Sequence, residues 1–197
     1  MAQIPLEAIP GIGDDHWLKK LGRDSWPAFC TQRLDGKSAA IHLNGLGENI
    51  KGLCQEVAHW DGLSNAIALD ENIAHVDRHL NNLIRLGKRR FAMIDNGRLI
   101  NEYADFWDTS MLEPTRLYSN KLSYAACKDE PPEGMATQIL QVAHQHEQSG
   151  LQAIREELEF WFTHLLPKEE REAFSDFLDK RTEELTWLLR KRYKILI

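Results

Sequence analysis

The sequence predicts an α/β fold in which a short parallel sheet is flanked by helices and followed by a helical C-terminal section. Three apolar segments have the length of buried strands: 38–45, 65–72 and 89–95. The segments between them, 48–60 and 73–86, repeat apolar residues at intervals of three and four, as amphipathic helices do. Strands that alternate with helices usually pair in parallel within one sheet.

Caps and chain breakers bound the elements before residue 61. Two prolines and two glycines within residues 1–13 predict a loop. Asp14 and Asp15 could cap a short helix that ends near Leu21, and an Asn-Gly pair closes the first predicted strand. The helix predicted over 48–60 has one apolar face, made of Ile50, Leu53, Val57 and Trp60.

The helix predicted over 73–86 has the clearest apolar stripe in this half of the chain. Gly87 ends it, and the segment 89–95 then reads as the third strand. The stripe consists of Ile73, Val76, Leu80, Leu83 and Leu86.

The chain is predicted to be helical after residue 133. Adjacent prolines make 128–134 a loop, because proline stops both helix and sheet hydrogen bonding. Pro167 interrupts the later apolar pattern and suits the first turn of a helix. We therefore divide the chain into an α/β domain with an N-terminal extension, 1–133, and a helical C-terminal section packed on the same core, 134–197.

Composition and charge are those of an ordinary globular protein. The 197 residues carry a net charge of −6, which disfavours a broad nucleic-acid-coating surface but leaves room for a local basic groove. Three scattered cysteines are typical of a reducing compartment. The sequence opens without the pattern of a signal peptide, and no apolar stretch approaches the roughly 20 residues that cross a bilayer. These features predict a cytoplasmic protein that does not enter a membrane.

The segment AMIDNGRLINEY, residues 92–103, permits two interpretations. An Asn-Gly pair between apolar runs is a strong hairpin signal, and a hairpin would put Glu102 on a solvated strand face. Alternatively, a helix begins after Gly97, because the apolar residues that follow recur at helical spacing: Leu99, Ile100, Tyr103, Phe106 and Trp107. We favour the helix, in which Asp95 ends a strand and Glu102 lies in the second helical turn.

Three acidic residues could meet at one edge of the predicted sheet. Asp70 ends the strand before that of Asp95, and open α/β sheets place their sites where parallel strands end. Two carboxylates about 4 Å apart repel by on the order of 4 kcal/mol at a surface-like dielectric, so a proton or a cation has to offset them. Oxygen ligands such as Asp70, Asp95 and Glu102 select Mg²⁺ or Mn²⁺.

The segment 68–103 resembles the PIN-domain fold of Mg²⁺-dependent ribonucleases. Asp70 and Asn72 match a strand that ends in Asp-x-Asn, and Glu102 matches an acid on a later helix. The resemblance implies a nuclease that cleaves RNA or single-stranded nucleic acid. Asp70, Asp95 and Glu102 would hold the Mg²⁺ or Mn²⁺, Asn72 would orient Asp70, and a metal-bound water would attack the phosphodiester.

Two basic clusters could contact nucleic-acid phosphates. Lys88, Arg89 and Arg90 precede Asp95 closely and would steer the substrate towards the acidic site. The second cluster, 190–194, also suits the end of a helix, because cations stabilise the C-terminal end of the helix dipole.

A second hypothesis is a non-catalytic protein-interaction module. Its helical C-terminal section would bind a protein partner or a second copy of the chain. Phe160, Trp161 and Phe162 are adjacent, so a single helix face cannot bury all three. A partner surface could cover the remainder.

Overall fold

The structure, a computed structural model, describes residues 2–5, 25–28, 37–38, 50–95, 97–103 and 107–195. The chain divides into two compact units, Met1–Asp35 and Gly36–Ile197. In the first unit, strand β1 (Ala2–Pro5) pairs antiparallel with β2 (Ser25–Ala28). The short helix predicted after Asp14 lies outside the described residues.

The described strands of the second unit form one antiparallel sheet in the order β3–β4–β5. They are β3 (Lys37–Ser38), β4 (Leu83–Gly87) and β5 (Arg90–Met93). A two-residue turn, Lys88–Arg89, joins β4 to β5, and such a short connection requires antiparallel pairing. The predicted parallel sheet flanked by helices is therefore wrong. The strand predicted over 89–95 is confirmed as β5, whereas 39–45 of the first predicted strand lie outside the described residues.

Seven α-helices lie in the described part of the second unit: α1 (Ile50–Ala58), α2 (Leu63–Asn72), α3 (Lys121–Cys127), α4 (Glu133–Ser149), α5 (Arg155–Leu165), α6 (Lys168–Glu183) and α7 (Leu185–Arg192). Single 3₁₀ turns cover Leu80–Asn82, Thr109–Met111 and Gln152–Ile154. The helix predicted over 48–60 is confirmed by α1. The predicted C-terminal helices are present as α4 to α7, and Pro167 stands at the N-terminal cap of α6.

The segment 65–72 was predicted as a strand and belongs to α2 instead. Ala66, Ile67 and Ala68 are buried, and the polar residues at its C-terminal end are buried as well. A helix that is enclosed on most sides shows no amphipathic stripe. The short apolar run of 65–72 therefore cannot be distinguished from a buried strand by its sequence pattern.

The amphipathic helix predicted over 73–86 is also wrong. This segment contains an extended loop, the 3₁₀ turn Leu80–Asn82 and most of β4. Val76 and Leu83 are both buried, but they belong to separate clusters of the hydrophobic core. Their helical spacing therefore arises from a loop and a strand that enter the core at different places.

Residues 97–103 form neither the predicted helix nor a hairpin around the Asn-Gly pair. The backbone N–H of Ile100 donates to the carbonyl of Ala74 at 2.8 Å. The carbonyl of Arg98 accepts from the N–H of Val76 at 3.3 Å. Because this segment pairs with the 74–76 loop, its peptide groups are not available for a helical hydrogen-bond ladder.

Two hydrophobic clusters form the core of the second unit. The larger one joins α1, α2 and the sheet to α3, α4 and α7. The smaller one joins the loop after α2 to the middle of α6, and its buried members are Ala74, Val76, Ile100, Tyr118, Phe174, Phe177 and Leu178. The C-terminal helices therefore pack on the same core as α2 and β4.

The three adjacent aromatic residues of α5 have different surroundings. Trp161 is buried, and the ring of Phe162 packs against that of Phe174 with centroids 5.3 Å apart. Phe160 remains 42% exposed, beside the ring of His164. Of the three, Phe160 is therefore the one whose ring stays substantially exposed.

Candidate functional site

Asp70 lies in the last turn of α2, where it is buried. The guanidinium of Arg78 binds both oxygens of its carboxylate, Nε to Oδ2 and Nη2 to Oδ1, each at 3.2 Å. Burial raises the pKa of Asp70 to about 6, and the hydrogen bond and charge of Arg78 oppose that rise. Asp70 is thus ionised at neutral pH, and the cation that offsets it is an arginine of the same chain.

Asn72 and Glu71 bind the end of α2 to the C-terminal helices. Asn72 Oδ1 accepts from Thr182 Oγ1 at 3.1 Å, and the Asn72 carbonyl accepts from Arg181 Nε at 3.1 Å. Glu71, which the sequence prediction left out, accepts from Arg192 Nε at 2.8 Å and lies 3.6 Å from Arg181 Nη2. The side-chain oxygen of Asn72 therefore accepts from α6. The sequence prediction had given this side chain the role of orienting the Asp70 carboxylate.

Asp95 follows β5 and is exposed. Its φ of +55° lies in the left-handed region, which is uncommon for a residue other than glycine. Arg78 Nη1 donates to the Ile94 carbonyl at 2.6 Å, and His75 Nε2 donates to the Asp95 carbonyl at 3.3 Å. Asp70 and the chain at Asp95 are therefore neighbours across the guanidinium of Arg78, but the predicted shared sheet edge is wrong, because Asp70 lies in α2.

Glu102 lies on irregular chain and lines a pocket of about 320 Å³. Val76 and Met111 contribute apolar surface to this pocket, and Arg116 contributes a second charge. Within the described ranges, no three His, Cys, Asp or Glu side chains are grouped so that they could hold a metal ion. The predicted acids Asp70, Asp95 and Glu102 do not form such a group.

The predicted substrate-binding residues lie at the tip of the β4–β5 hairpin. Lys88, Arg89 and Arg90 are all exposed. Arg89 pairs with Asp61 at 2.7 Å and donates through Nε to the His59 carbonyl at 2.7 Å. Arg89 therefore holds the hairpin against the connection between α1 and α2.

The loop before β4 carries two polar residues that the sequence prediction also left out. Asn82 Nδ2 donates to the carbonyl of Asp77 at 2.8 Å. The carbonyl of Asn82 accepts from the N–H of Ile94 at 2.9 Å, next to Asp95. These bonds join the loop to the chain that leads out of the hairpin. Asp77, Asn82 and Asp95 therefore lie in one region of the fold.

A spacing signal could have identified these residues. Asp77 and Asn82 enclose four residues, a hairpin follows, and Asp95 and Gly97 then form Asp-x-Gly. The helix predicted over 73–86 concealed this signal, because a helix would have turned the first two side chains to different faces.

Asp77 is a carboxylate surrounded by basic groups. Lys121 Nζ lies 2.8 Å from its Oδ1, and Arg98 and His79 lie 3.6 and 3.8 Å from its Oδ2. Burial raises the pKa of Asp77, but the hydrogen bond and charge of Lys121, together with His79 and Arg98, outweigh burial and hold the pKa below its usual range. The site combines an ionised carboxylate with cations that suit an anionic ligand.

His75 connects the backbones of the two aspartates. Its side chain is buried, and burial, assisted by the charge of Arg78, lowers its pKa to about 4. Nδ1 accepts from the N–H of Asp77 at 3.4 Å, and Nε2 donates to the carbonyl of Asp95 at 3.3 Å. A single neutral imidazole in one tautomer therefore spans from Asp77 to Asp95.

No protein-family model, curated protein or solved structure matches the chain, so its function is inferred from these residues. Among the helices of the described residues, none is long and apolar enough to span a bilayer. The resemblance of 68–103 to PIN domains stays a prediction.

Proposed function

We propose that the chain is an Mg²⁺-dependent phosphotransferase, which moves the terminal phosphoryl group of a nucleoside triphosphate to a hydroxyl group. The observation that supports this function is that Asp77, Asn82 and Asp95 are joined through the backbone: the Asn82 amide donates to the Asp77 carbonyl, and the His75 imidazole spans from the Asp77 N–H to the Asp95 carbonyl. Protein kinases use the same residue types in the same order. There the Asp of an Asp-x-x-x-x-Asn loop accepts a proton, and the Asn and a later Asp-x-Gly aspartate hold Mg²⁺.

Asp77 is suited to act as the general base. It would accept the proton of the acceptor hydroxyl while that oxygen bonds to phosphorus and the bond from phosphorus to the leaving diphosphate oxygen breaks. The carboxylate is ionised at neutral pH, as this role requires. Lys121, 2.8 Å from Asp77 Oδ1, would stabilise the negative charge on the transferred phosphoryl group.

Asp95 and Asn82 are suited to hold the metal ion. Because the Asn82 amide nitrogen donates to the backbone carbonyl of Asp77, the amide oxygen is the atom that would bind a cation. Mg²⁺ commonly binds one or two carboxylates and completes its shell with water and substrate phosphates, so a cage of three protein acids is not needed. When bound, the ion would neutralise charge on the substrate phosphates. Asp95 keeps the metal-binding role predicted from the sequence, whereas Asp70 does not.

Thermal melting with Mg²⁺ and a non-hydrolysable ATP analogue tests the binding step. Binding to the folded chain alone raises the melting midpoint. We expect a rise that needs both components, together with release of ADP when ATP and a hydroxyl-bearing acceptor mixture are supplied. No shift with any Mg²⁺–nucleoside triphosphate would overturn the proposal.

Variants separate the proposed roles. Asp77→Asn should keep the nucleotide-dependent shift and lower turnover by about 10²–10⁴-fold, as expected for loss of a general base. Asn82→Ala and Asp95→Asn should lose the Mg²⁺-dependent part of the shift. Glu102→Gln serves as a matched control at a nearby acid and should keep both. A fully active Asp77→Asn protein would remove Asp77 from the mechanism.

Mg²⁺-dependent cleavage of RNA or single-stranded nucleic acid remains the second candidate, because Asp70 and the chain at Asp95 are neighbours across Arg78. The two candidates differ in the residues that they require. Nuclease activity would proceed without a nucleoside triphosphate and would be lost in Asp70→Asn and Glu102→Gln. It would not depend on Asp77, on which phosphoryl transfer depends.

A further inference from the structure

The backbone around Asp95 is held on both sides by buried side chains. Arg78 Nη1 binds the carbonyl that precedes Asp95, and His75 Nε2 binds the carbonyl of Asp95 itself. Arg78 is 1% exposed and His75 is fully buried, while Asp95 is exposed. Interior groups therefore set the conformation of a residue whose own side chain faces outward.

The conformation of Asp95 held in this way is left-handed, which aspartate enters more readily than most residues other than glycine but which still costs free energy. Its φ of +55° places it in the left-handed region, where a side chain is disfavoured unless surrounding contacts determine the backbone. Two hydrogen bonds to consecutive carbonyls supply such contacts. Strained residues with this kind of support are often found at functional sites.

Asp70 sets the position of Arg78. Its two carboxylate oxygens take Nε and Nη2 of the guanidinium, which leaves Nη1 for the Ile94 carbonyl. A planar guanidinium held by two parallel bonds has a defined orientation, which a lysine ammonium would not have. The chain of contacts therefore runs from α2 through Arg78 to the peptide before Asp95.

We infer that Asp70, Arg78 and His75, here named the Asp95 anchor, are positioning residues that hold Asp95 in the conformation in which it binds the metal ion. This inference rests on the proposed function. In this inference Asp70 does not bind the metal ion itself; it supports the ligand Asp95 through Arg78. A purely structural role for the anchor would affect folding alone, whereas a positioning role also weakens metal binding in variants that remain folded.

Mn²⁺ binding, measured by electron paramagnetic resonance with a non-hydrolysable ATP analogue present, tests the anchor. Arg78→Lys keeps the charge but cannot bind two carboxylate oxygens and the Ile94 carbonyl in the same fork geometry. We expect this variant, once shown to melt cooperatively, to bind Mn²⁺ roughly tenfold more weakly. The matched control is Arg85→Lys, because Arg85 pairs with Glu56 on another part of the fold at 2.7 Å, and its Mn²⁺ affinity should equal that of the wild type.

A second pair of variants covers the case in which Arg78→Lys does not fold. His75→Leu removes the donor to the Asp95 carbonyl and should weaken Mn²⁺ binding, whereas His75→Gln retains an N–H and should restore most of it. In turnover assays, His75→Leu should need more Mg²⁺ for half-maximal rate, with a smaller change in kcat at saturating Mg²⁺. Folded Arg78→Lys and His75→Leu proteins with wild-type Mn²⁺ affinity would overturn the inference alone. A wild-type protein that binds no Mn²⁺ with the analogue would overturn the proposed function, and the inference with it.

Discussion

Replacing His75 by glutamine should remove an acid-dependent loss of stability. His75 is fully buried, and its pKa is about 4 rather than the ordinary 6.5. Between these two pH values the unfolded chain binds a proton that the folded chain does not bind. The stability that His75 contributes is therefore complete above pH 6.5 and falls as the pH drops towards 4. A shift from 6.5 to about 4 corresponds to about 3 kcal/mol of unfolding free energy.

Urea unfolding at pH 7 and at pH 4.5, followed by tryptophan fluorescence, measures this loss. Between the two pH values the wild type should lose about 2–3 kcal/mol more than His75→Gln. The comparison isolates protonation, because glutamine keeps an N–H for the Asp95 carbonyl and other titrating groups are common to both proteins. Equal losses in the two proteins would refute a buried, neutral imidazole at this position. Imidazole ¹⁵N shifts of the wild type should show the Nε2–H tautomer down to about pH 4.

The variant Asp70→Asn tests a group whose contribution to stability changes with pH in the opposite direction to that of His75. Because the pKa of Asp70 is raised from 3.8 to about 6, the folded chain binds this proton more tightly than the unfolded chain. Its contribution to stability is fully present below pH 3.8 and is lost as the pH rises through 6, by up to about 3 kcal/mol. In the wild type this gain on acidification opposes the loss from His75. The Asp70→Asn protein should therefore lose more stability than the wild type between pH 6.5 and 4.

Three further outcomes are expected. Glu71→Gln should lower the unfolding free energy in urea by about 3–5 kcal/mol, because it takes the Glu71 carboxylate from the buried Arg181 and leaves Arg192 with Asp129 at 3.7 Å; an unchanged midpoint would contradict that network. Lys121→Met should lower the rate of ADP release in the proposed reaction while the melting midpoint changes little, and an unaltered rate would exclude the lysine from the site. Phe160→Ser should lower the unfolding free energy by about 1–2 kcal/mol, since the ring is 42% exposed and its covered part packs on Trp161 and His164. If the C-terminal helices join two copies, sedimentation should show a concentration-dependent mass in the wild type that Phe160→Ser reduces; a wild-type mass that stays that of one chain would contradict a homo-oligomer.

Elements with one solvated face were predictable from the sequence. In α1, Leu53 and Val57 of the predicted apolar face are buried, whereas Ile50 at the first position of the helix is 65% exposed. In α6, the buried residues Phe174, Phe177 and Leu178 fall on the apolar side of a helix whose other positions are mainly charged. The sequences of such helices show a helical period of apolar residues, because each turn contacts both the core and water.

Elements that the rest of the chain encloses do not show such a periodic pattern in the sequence. The end of α2 is buried although Asp70, Glu71 and Asn72 are polar, because each has a partner; that of Asp70 is eight residues away, whereas those of Glu71 and Asn72 come from the C-terminal helices. Arg181 binds the carbonyl of Glu71 from 110 residues away, and such pairing has no local signature. The turn Lys88–Arg89 lacks the glycine or asparagine typical of two-residue hairpins, so the antiparallel sheet was also hidden.

Three gathered acids, as predicted from the sequence, would need a proton or a cation to offset them; Asp70, Asp95 and Glu102 do not form such a group, and the cation that offsets Asp70 is an arginine. A carboxylate buried at the end of α2 needs a compensating charge, and Arg78 provides it through both oxygens. Those oxygens are then engaged, so Asp70 is poorly suited to ligate a metal ion. At Asp95 the same guanidinium binds a neighbouring backbone carbonyl, and the carboxylate stays exposed. Asp95→Asn should therefore abolish Mn²⁺ binding, whereas Asp70→Asn should weaken it. A reversed order would return Asp70 to the metal site and favour the nuclease.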